Sequence, residues 1–498
     1  MKQIYYREVK AHKVTVGILS LLLYCIQLSA FAQQTSIFPS TQHENATFGY
    51  HIAHDGNWLL VGAKNDTTGF GETGAAYFFK HDINGWSEFQ KVGPDIGAEG
   101  DWFGLSVAIS GNYAVVAANG DDTKGFNVGA AYIYKLVEDS WVQTQKLFPN
   151  PFSGIDEYGI AVSMKNDLLV VGAYSDKTNG PFAGAAYIYK LTNGTWQQEV
   201  KILPDDGAAE DRFGRSVHTD GKQVIICGVL NDDLGTNSGS AYIYIEEEGT
   251  WIKEIKLLQP DGAEEDRFGR SVGIGLEYAA VGSVLDDDNG SKSGAVIIYH
   301  KESTGWEFQQ KITPDDGQAD DFFGYGLSLY KNHLVVTAHN DDDYGLNSGK
   351  AYLFKRTGTT WTQIDKFYAT DPSEEENFGE SVYIDESWIS IGAPYGLNEG
   401  LATGSAVVFP APVITDVPKV CPEKINIYPN PAQDYLNIDY ASDQVVDISI
   451  TNVNGLEQKN IEFSTAGRVD ISFLSPGVYI LRVEAVSKTY FNRFIKVN

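Results

Sequence analysis

The sequence predicts an all-β protein: a seven-bladed β-propeller followed by a small C-terminal β-sandwich. Three observations lead to this prediction. A unit of 55 residues recurs seven times, each unit holds four short apolar segments, and the composition is rich in glycine (51 residues) and poor in methionine (2 residues). Many glycines beside many aromatic residues are typical of short strands joined by tight turns.

The repeat is visible in three registers that share one step of 55 residues. A Phe-Gly pair, replaced once by Tyr-Gly, begins at Phe48, Phe103, Tyr158, Phe213, Phe268, Phe323 and Phe378. A glycine register comprises Gly74, Gly129, Gly184, Gly239, Gly294, Gly349 and Gly404. A tryptophan register comprises Trp86, Trp141, Trp196, Trp251, Trp306 and Trp361. A fixed period of this kind marks repeated structural units.

Each copy predicts four strands. In the fourth copy these are residues 213–217, 223–229, 239–245 and 251–257. The second segment is almost continuously apolar, which is typical of a strand buried on both faces, whereas the fourth alternates apolar and charged residues and predicts a half-exposed strand. Buried inner strands with a wetter outer strand describe a propeller blade.

The two ends of the repeat array predict a closed ring. The tryptophan register would place a seventh member at position 416, where the sequence has Asp416, so the last copy lacks its fourth strand. Residues 36–39 end nine residues before Phe48, as residues 146–149 do before Tyr158. The N-terminal segment is therefore expected to supply the outer strand of blade seven and remove an exposed sheet edge. An open solenoid of seven units is the alternative.

The N-terminus is typical of an export signal. Basic residues (Lys2, Arg7, Lys10 and Lys13) precede an apolar stretch at 14–28, and Ala30-Phe31-Ala32 provides a cleavage site. The predicted regions are a signal peptide at 1–32, the propeller at 33–411, a Pro-rich linker at 412–423 and a C-terminal domain at 424–498. No later segment has the length and apolar character of a transmembrane helix.

Charge and cysteine content exclude two classes of protein. A formal net charge of −29 repels phosphate backbones, so nucleic-acid binding is excluded. Cys227 lies in an apolar run and is predicted to be a small buried hydrophobic residue. Cys421 lies in the linker, and a disulfide between the two is the alternative. The chain is not a cysteine scaffold.

The repeats resemble the FG-GAP family, known from integrin α-subunit propellers and many bacterial surface proteins. The Phe-Gly pairs carry the resemblance, together with Val61-Gly62-Ala63, Val171-Gly172-Ala173 and Ile391-Gly392-Ala393-Pro394 at the second strand. The resemblance covers residues 34–411 and implies a propeller.

Polar loops after the second strands hold candidate metal ligands. One register contains Asp66, Asp121, Asp176, Asn231, Asp286 and Asp341, with Gly396 in blade seven. Clustered carboxylates near a glycine suit calcium, which takes roughly six to eight oxygen ligands, and the resemblance to integrin loops implies the same cofactor. The candidate ligands are Asp121, Asp122, Asp286, Asp287, Asp288, Asp341, Asp342 and Asp343, with blades five and six favoured. The alternative is metal-free turns stabilised by side-chain-to-backbone hydrogen bonds.

A second acidic register lies two residues before each Phe-Gly pair. Its members are Asp101, Asp156, Asp211, Asp266, Asp321 and Glu376, and nearby cations are Arg212, Arg215, Arg267 and Arg270. Chemistry needs one unique constellation, whereas these acids recur in blade after blade. The register is therefore predicted to be structural, through loop capping or ion pairs between blades.

The C-terminal segment resembles the sorting domain of the type IX (Por) secretion system of Bacteroidota. The matching motifs are Ile427-Tyr428-Pro429-Asn430-Pro431, Asn454-Gly455, residues 474–483 and Phe494-Ile495-Lys496. Short apolar segments separated by turns predict a small β-sandwich here. The resemblance implies passage through the outer membrane, contact with the secretion machinery, and release or attachment at the cell surface.

The function predicted from these features is recognition rather than catalysis. The sequence contains no GxSxG, HExxH or Gly-rich phosphate-binding motif, and its histidines show no ligand spacing. The leading hypothesis is a non-catalytic module that binds an extracellular glycan or protein through loops on one propeller face. The alternatives are a polysaccharide-degrading hydrolase or lyase on the same fold, and a passive surface-layer component.

Overall fold

A computed structural model describes residues 34–275, 277–412, 426–439, 445–452, 457–460, 468–485 and 489–497. Every regular element in these ranges is a β-strand, which confirms the all-β prediction. The predicted signal peptide, nearly all of the predicted linker, and Cys421 lie outside the described residues. The chain forms two compact units, residues 1–413 and 414–498.

The first unit contains seven four-stranded antiparallel sheets, one for each repeat. Blade one contains the strands Phe48–Asp55, Trp58–Ala63, Ala75–Asp82 and Gly85–Val92. Blade two contains Ser106–Ser110, Tyr113–Ala118, Ala130–Val137 and Ser140–Leu147. Blade three contains Val162–Lys165, Leu168–Ala173, Ala185–Thr192 and Thr195–Ile202. Blade four contains the strands Phe213–Thr219, Gln223–Gly228, Ser240–Glu247 and Thr250–Leu257. Blade five contains Phe268–Gly275, Tyr278–Ser283, Ala295–Glu302 and Gly305–Ile312. Blade six contains Phe323–Tyr330, His333–Ala338, Lys350–Thr357 and Thr360–Phe367.

Blade seven closes the ring as predicted. Its three C-terminal strands are Ser381–Ile384, Trp388–Ala393 and Ser405–Pro410, and a short hairpin of Leu397–Asn398 and Leu401–Ala402 lies in its loop. The outer strand is Thr35–Ile37, in which Thr35 pairs with Val408 and Ile37 with Ala406. The first strand of blade one also packs on the first two strands of blade seven, so the ring is closed and the open solenoid is wrong.

The hydrophobic core lies between the blades. Along the second strand of blade one, Leu60 packs with blade two, whereas Leu59 and Val61 pack with blade seven. This alternation follows from the two-residue period of a strand, and it explains why the second strands are apolar throughout. The outer strands bury only some of their residues, as their alternating sequence predicts.

The repeated tryptophan joins each outer strand to the preceding blade. Trp141 of blade two stacks on Phe78 of blade one, with ring centroids 4.5 Å apart and planes 8° apart. Beside it, the Gln90 side chain donates to the Trp141 carbonyl and accepts from the Trp141 N–H, both at 2.9 Å. The same two-bond clamp joins Gln145 to Trp196 and Gln310 to Trp361.

Glycines allow the inner parts of adjacent blades to meet backbone to backbone. A Cβ added to Gly62, in the second strand of blade one, would lie 1.9 Å from the carbonyl oxygen of Gly104, in the Phe-Gly pair of blade two. Gly104 has φ +91°, a conformation that favours glycine. The same contact recurs between Gly172 and Gly214, and across the ring closure between Gly392 and Gly49. These approaches account for the second-strand glycines Gly62, Gly172, Gly282 and Gly392 and, at those four junctions, for the glycine of the Phe-Gly pair.

The second unit is a sandwich of two antiparallel sheets, as predicted. One sheet contains Asn426–Tyr428, Tyr435–Asp439 and Arg468–Asp470. The other contains Glu457–Asn460, Val445–Asn452, Gly477–Ala485 and Thr489–Lys496 in that spatial order. Leu436 and Val469 of the first sheet share a core with Ile450, Leu481 and Phe494 of the second.

Replacing Gly62 with alanine is expected to destabilise the propeller by more than about 2 kcal/mol, because backbone must move to admit the methyl group. Urea unfolding monitored by tryptophan fluorescence measures the effect. Gly69→Ala is the matched control, since Gly69 has no heavy atom within 4 Å of an added Cβ and no left-handed φ. Equal stability of the two variants would contradict the close-approach argument.

Candidate functional site

One end of the propeller gathers the loops that carry the predicted site residues. Phe48, at the start of the first strand, pairs with Ala63, at the end of the second strand. The starts of the first strands, the loops between second and third strands, and the connections between blades therefore share one end. We call this end the loop face.

The first aspartate of the predicted metal loop is buried and bound to a lysine of the chain itself in five blades, at Asp66, Asp121, Asp176, Asp286 and Asp341. In blade two, Asp121 accepts from Lys146 Nζ at 2.7 Å and from the Tyr132 hydroxyl at 2.6 Å. These hydrogen bonds hold the pKa of Asp121 below its ordinary value, although burial acts in the opposite direction. Lysine contacts of the same kind join Lys91 to Asp66 and Lys201 to Asp176.

Blades five and six show the same lysine contacts at the favoured calcium ligands. Lys311 Nζ lies 2.6 Å from Asp286 and 2.5 Å from Asp288. Lys350 Nζ lies 2.9 Å from Asp341 and also binds Asp343.

The remaining candidate ligands stabilise turns or are exposed. Asp122 and Asp342 accept backbone N–H groups of Asn127 and Asn347, each at 2.7 Å. Asp287 is exposed, and its carbonyl accepts the Gly290 N–H at 3.1 Å.

This arrangement does not fit a calcium loop. A calcium ion needs the carboxylate oxygens as ligands, and here ammonium groups are bound to those oxygens. Within the described ranges, no group of three or more His, Cys, Asp or Glu side chains is placed to hold a metal ion. Calcium binding stays a prediction, and a calcium ion would have to displace a lysine ammonium group from these carboxylates.

The second acidic register caps the connections between blades. Its carboxylates accept the backbone N–H three residues earlier: Ala98 to Asp101, Ser153 to Asp156, Ala208 to Asp211, Ala263 to Asp266 and Gln318 to Asp321. In blade seven the Ser373 hydroxyl donates to Glu376 at 3.1 Å. Burial raises the pKa of Asp266 and Asp321 to about 6 and of Glu376 to about 7.

The arginines beside this register do not pair with it, contrary to the ion-pair version of our prediction. Arg267 lies 3.7 Å from Glu265, and Arg212 lies against the rings of Tyr174 and Phe182. Arg215 and Arg270 point instead toward the propeller axis, because they directly follow a Phe-Gly pair in the innermost strand.

That position forms a ring in which the blades differ. Its members are Tyr50, Leu105, Ile160, Arg215, Arg270, Tyr325 and Glu380. Arg215 of blade four and Arg270 of blade five both act on the pKa of Tyr50 in blade one. Blade one adjoins neither of those blades, so these side chains meet at the axis.

The residue directly after each second strand supplies a second asymmetric ring. Its members are Lys64, Asn119, Tyr174, Val229, Val284, His339 and Pro394. We call Tyr50, Lys64, Arg215, Arg270, Tyr325, His339 and Glu380 from the two rings the axial cluster.

Direct contacts connect most of the axial cluster. The Arg270 guanidinium lies 3.7 Å from the Tyr325 ring centroid, and the Tyr325 hydroxyl donates to Glu380 at 3.2 Å. The Tyr325 and His339 ring centroids are 3.5 Å apart. On the other side, Lys64 Nζ lies 3.6 Å from the Tyr50 ring centroid.

Burial and mutual charge determine the protonation of this cluster. Burial raises the pKa of Glu380 and raises the pKa of Tyr325 to about 12. Burial, together with the charge of Arg270, lowers the pKa of Arg215 and brings the pKa of His339 to about 3. His339 is therefore neutral at physiological pH, while the cluster holds three cationic side chains and one carboxyl group.

We call the residue before each Phe-Gly pair, where the chain enters the innermost strand on the loop face, the rim. All seven have a left-handed backbone with φ between 50° and 60°: Thr47, Trp102, Glu157, Arg212, Arg267, Phe322 and Asn377. Non-glycine residues with this backbone are uncommon, and its recurrence in every blade makes it a feature of the scaffold.

Exposed apolar side chains surround the rim on the same face. Trp102 of the rim is 38% exposed. The loops between second and third strands add Phe70, Phe126, Phe182, Leu234, Tyr344 and Leu346. This surface can contact a ligand whose charged group reaches the axis.

Sequence reasoning missed the axial cluster because it searched for residues that repeat. A usable signal was present in the registers: the position after Phe-Gly varies from Leu105 to Arg215 to Glu380, while the aromatic-Gly pair before it recurs in every copy. Variation inside an otherwise constant repeat marks residues that the fold does not specify.

Comparison with known proteins places both parts of the chain. A model of the FG-GAP repeat matches residues 31–79, 86–134, 141–189, 196–244, 251–299, 306–354 and 361–409. Each later match begins in the outer strand of one blade and ends in the third strand of the next. A model of the secretion system C-terminal sorting domain matches residues 426–497.

Among solved structures, the chain is similar to PorZ, an essential surface component of the type IX secretion system of Porphyromonas gingivalis. The identity is 12%, over 92% of this chain and 83% of PorZ. The TM-score is 0.27, and the similarity carries no argument about fold or function.

Replacing Lys311 with methionine is expected to destabilise the chain by about 2–3 kcal/mol, because Asp286 keeps a buried charge without its cation. Thermal unfolding measures the effect, with the exposed Lys292→Met as control. Millimolar calcium is expected to leave the melting temperature of the unmodified chain unchanged. A rise of several degrees with calcium, reversed by chelation, would show that the loops take the metal after all.

Glu376→Gln is expected to stabilise the chain at pH 8 and to have little effect at pH 4.5. The folded-state pKa of Glu376, about 7, lies above the ordinary 4.5. Its contribution to stability is therefore present below pH 4.5 and lost as the pH rises through 7. The neutral amide avoids that loss, by about 1–3 kcal/mol at pH 8. Urea unfolding at both pH values tests this, with the exposed Glu99→Gln as charge control; a pH-independent difference would contradict it.

Proposed function

The chain belongs to the FG-GAP repeat family, and from that premise we propose that it is a recognition module that binds an extracellular glycan or protein on its loop face. The sorting domain at residues 426–497 implies export by type IX secretion to the cell surface or the medium, and contact with that machinery during export. None of the described residues belongs to a helix that could cross a membrane.

The observation that carries the proposal is the asymmetry of the axial cluster. The glycine pairs, the tryptophan clamps and the buried lysine–aspartate contacts recur around the ring, which is what a scaffold requires. The axial positions depart from this pattern with cations, tyrosines and one carboxyl group. A position that the scaffold leaves free is available for recognition, and sites on propellers use such convergent loops.

The exposed apolar residues on the same face support binding of a ligand larger than the axial opening. Phe126 is 69% exposed on the loop of blade two, and Tyr344 of blade six stacks on Tyr368 with centroids 4.6 Å apart. Aromatic side chains supply contact area at small entropic cost. Neither feature is needed in a passive surface-layer component.

A polysaccharide-degrading enzyme is the second candidate, and one observation favours it. The axial cluster is the kind of unique constellation that catalysis requires, and Glu380 has a raised pKa with the Tyr325 hydroxyl 3.2 Å away. A buried carboxyl of this kind is able to act as a general acid. Release of sugar fragments is therefore the measurement that distinguishes an enzyme from a recognition module.

The full chain is expected to bind a subset of a glycan and matrix-protein array, and Trp102→Ala with Phe126→Ala is expected to weaken that binding by about tenfold or more. Ile83→Ala is the control, because Ile83 is a fully exposed apolar residue on a turn at the opposite end of blade one. Equal losses in both variants, or no binding to any array member, would contradict recognition at the loop face. Release of sugar fragments, abolished by Glu380→Gln, would establish the enzyme instead.

A further inference from the structure

Among the described residues, the three cations of the axial cluster, Lys64, Arg215 and Arg270, are half-buried and lack a carboxylate partner. The chain has 66 acidic and 37 basic residues, so anionic partners are abundant. The loop lysines each bind an aspartate, as Lys146 and Lys201 do within 2.7 Å. Within the described part of the chain, no carboxylate oxygen lies within 4.0 Å of a side-chain nitrogen of Lys64, Arg215 or Arg270.

Arg215 is the clearest case. It is half-buried at the axis, makes no hydrogen bond or ion pair with another described residue, and lies close enough to Arg270 for the two charges to repel. By contrast, Arg270 makes a cation–π contact with the Tyr325 ring, and Lys64 makes one with the Tyr50 ring. Removing a cation from water without a counter-ion is unfavourable. A site that keeps this arrangement gains from an anion supplied by a ligand.

The geometry points to an acidic sugar as that ligand: we propose that the axial cluster binds the carboxylate of a uronic acid residue in a polysaccharide. The proposal rests on the proposed function and names its ligand class. Guanidinium groups bind carboxylates through paired N–H···O hydrogen bonds, and two of them face the axis from adjacent blades.

Other groups of the cluster and its rim favour a sugar over a simple anion. The hydroxyls of Tyr50, Tyr174 and Tyr325, with the Glu380 carboxyl group, provide donors and acceptors for sugar hydroxyls. Trp102 and Phe182, each 38% exposed, provide apolar surface on which the C–H face of a pyranose packs. Neighbouring sugar units of a chain extend over the exposed loop residues described above.

Glu380 sets the specificity of this site. Its carboxyl group accepts from the Tyr325 hydroxyl and lies near Lys64 and both arginines in electrostatic terms. The cluster therefore holds three cations against one carboxyl group, and one ligand carboxylate moves it closer to balance. A neutral sugar leaves Arg215 unpaired, so the site is expected to discriminate by charge rather than by shape alone.

The test is isothermal titration of the full chain with tetragalacturonate and with its methyl ester, which has the same rings and no charge. We expect the acid to bind at least about tenfold more tightly than the ester. Arg215→Ala and Arg270→Ala are each expected to weaken binding of the acid by about tenfold or more. Arg356→Ala is the matched control, because Arg356 stacks on Tyr278 at 4.3 Å, away from the axis, and should leave the affinity unchanged.

Melting temperatures separate loss of the site from loss of the fold. Because Arg215 has no partner to lose among the described residues, Arg215→Ala should melt at or above the temperature of the unmodified chain. Equal affinity for acid and ester, or full affinity in both arginine variants, would overturn the inference. So would tighter binding of sulfate, acetate or a peptide with a free C-terminal carboxylate, since each names a different ligand.

Failure of this experiment is distinguishable from failure of the proposed function. If the chain binds array members through Trp102 and Phe126 but does not bind tetragalacturonate, the recognition function is supported and only the uronate proposal is wrong. A chain that binds tetragalacturonate through Arg215 and also loses that affinity on Phe126→Ala supports both.

Discussion

The propeller depends on close packing of adjacent blades near its centre, which at four of the seven junctions is a backbone contact between two glycines. Where Gly62 meets Gly104, the gap leaves no room for a Cβ, and the same contact between Gly392 and Gly49 joins the last blade to the first. Two sheets this close share a continuous apolar core, to which each blade contributes both faces of its second strand. The Phe-Gly pair, the second-strand glycine and the strand borrowed from the N-terminus are consequences of one requirement, a ring packed tightly at its centre.

In a propeller packed this way, the fold requires a particular residue type at some positions of the repeat and allows any residue type at others. Glycines, tryptophans and the aspartates of the loops repeat because each makes a contact within or between blades. The residue after Phe-Gly faces the axial space and its identity is not fixed by these repeated contacts, so Leu105 occupies it in one blade and Arg215 in another. Chemistry concentrates at these free positions, where the seven blades present five different residue types around one axis.

The charged side chains also differ between the repeated loops and the axis. The chain is strongly acidic, yet its loop aspartates are neutralised internally by lysines of the third and fourth strands, as Asp121 is by Lys146 and Asp341 by Lys350. Those pairs stabilise loops and remove the carboxylates from contact with solvent ions. At the axis the balance is reversed: cations lie beside aromatic rings and, among the residues that the structure describes, lack carboxylate partners. An acidic protein thereby presents a small cationic site within its loop face.

The sequence by itself determined the architecture, because every blade repeats the same local chemistry. The period of 55 residues, the apolar second strands and the absence of a seventh tryptophan predicted seven blades and a ring closed by Thr35–Ile37. The sandwich core and the capping role of Asp266 also follow from local patterns. What only the tertiary structure decided was which residues meet across the ring. Lys311 reaches the carboxylate of Asp286 because the strands of blade five pair with one another, whereas Tyr50 lies near Arg270 because ring closure brings blades one and five to a common axis. No one-dimensional spacing encodes those distances, and the candidate site therefore emerged from the fold.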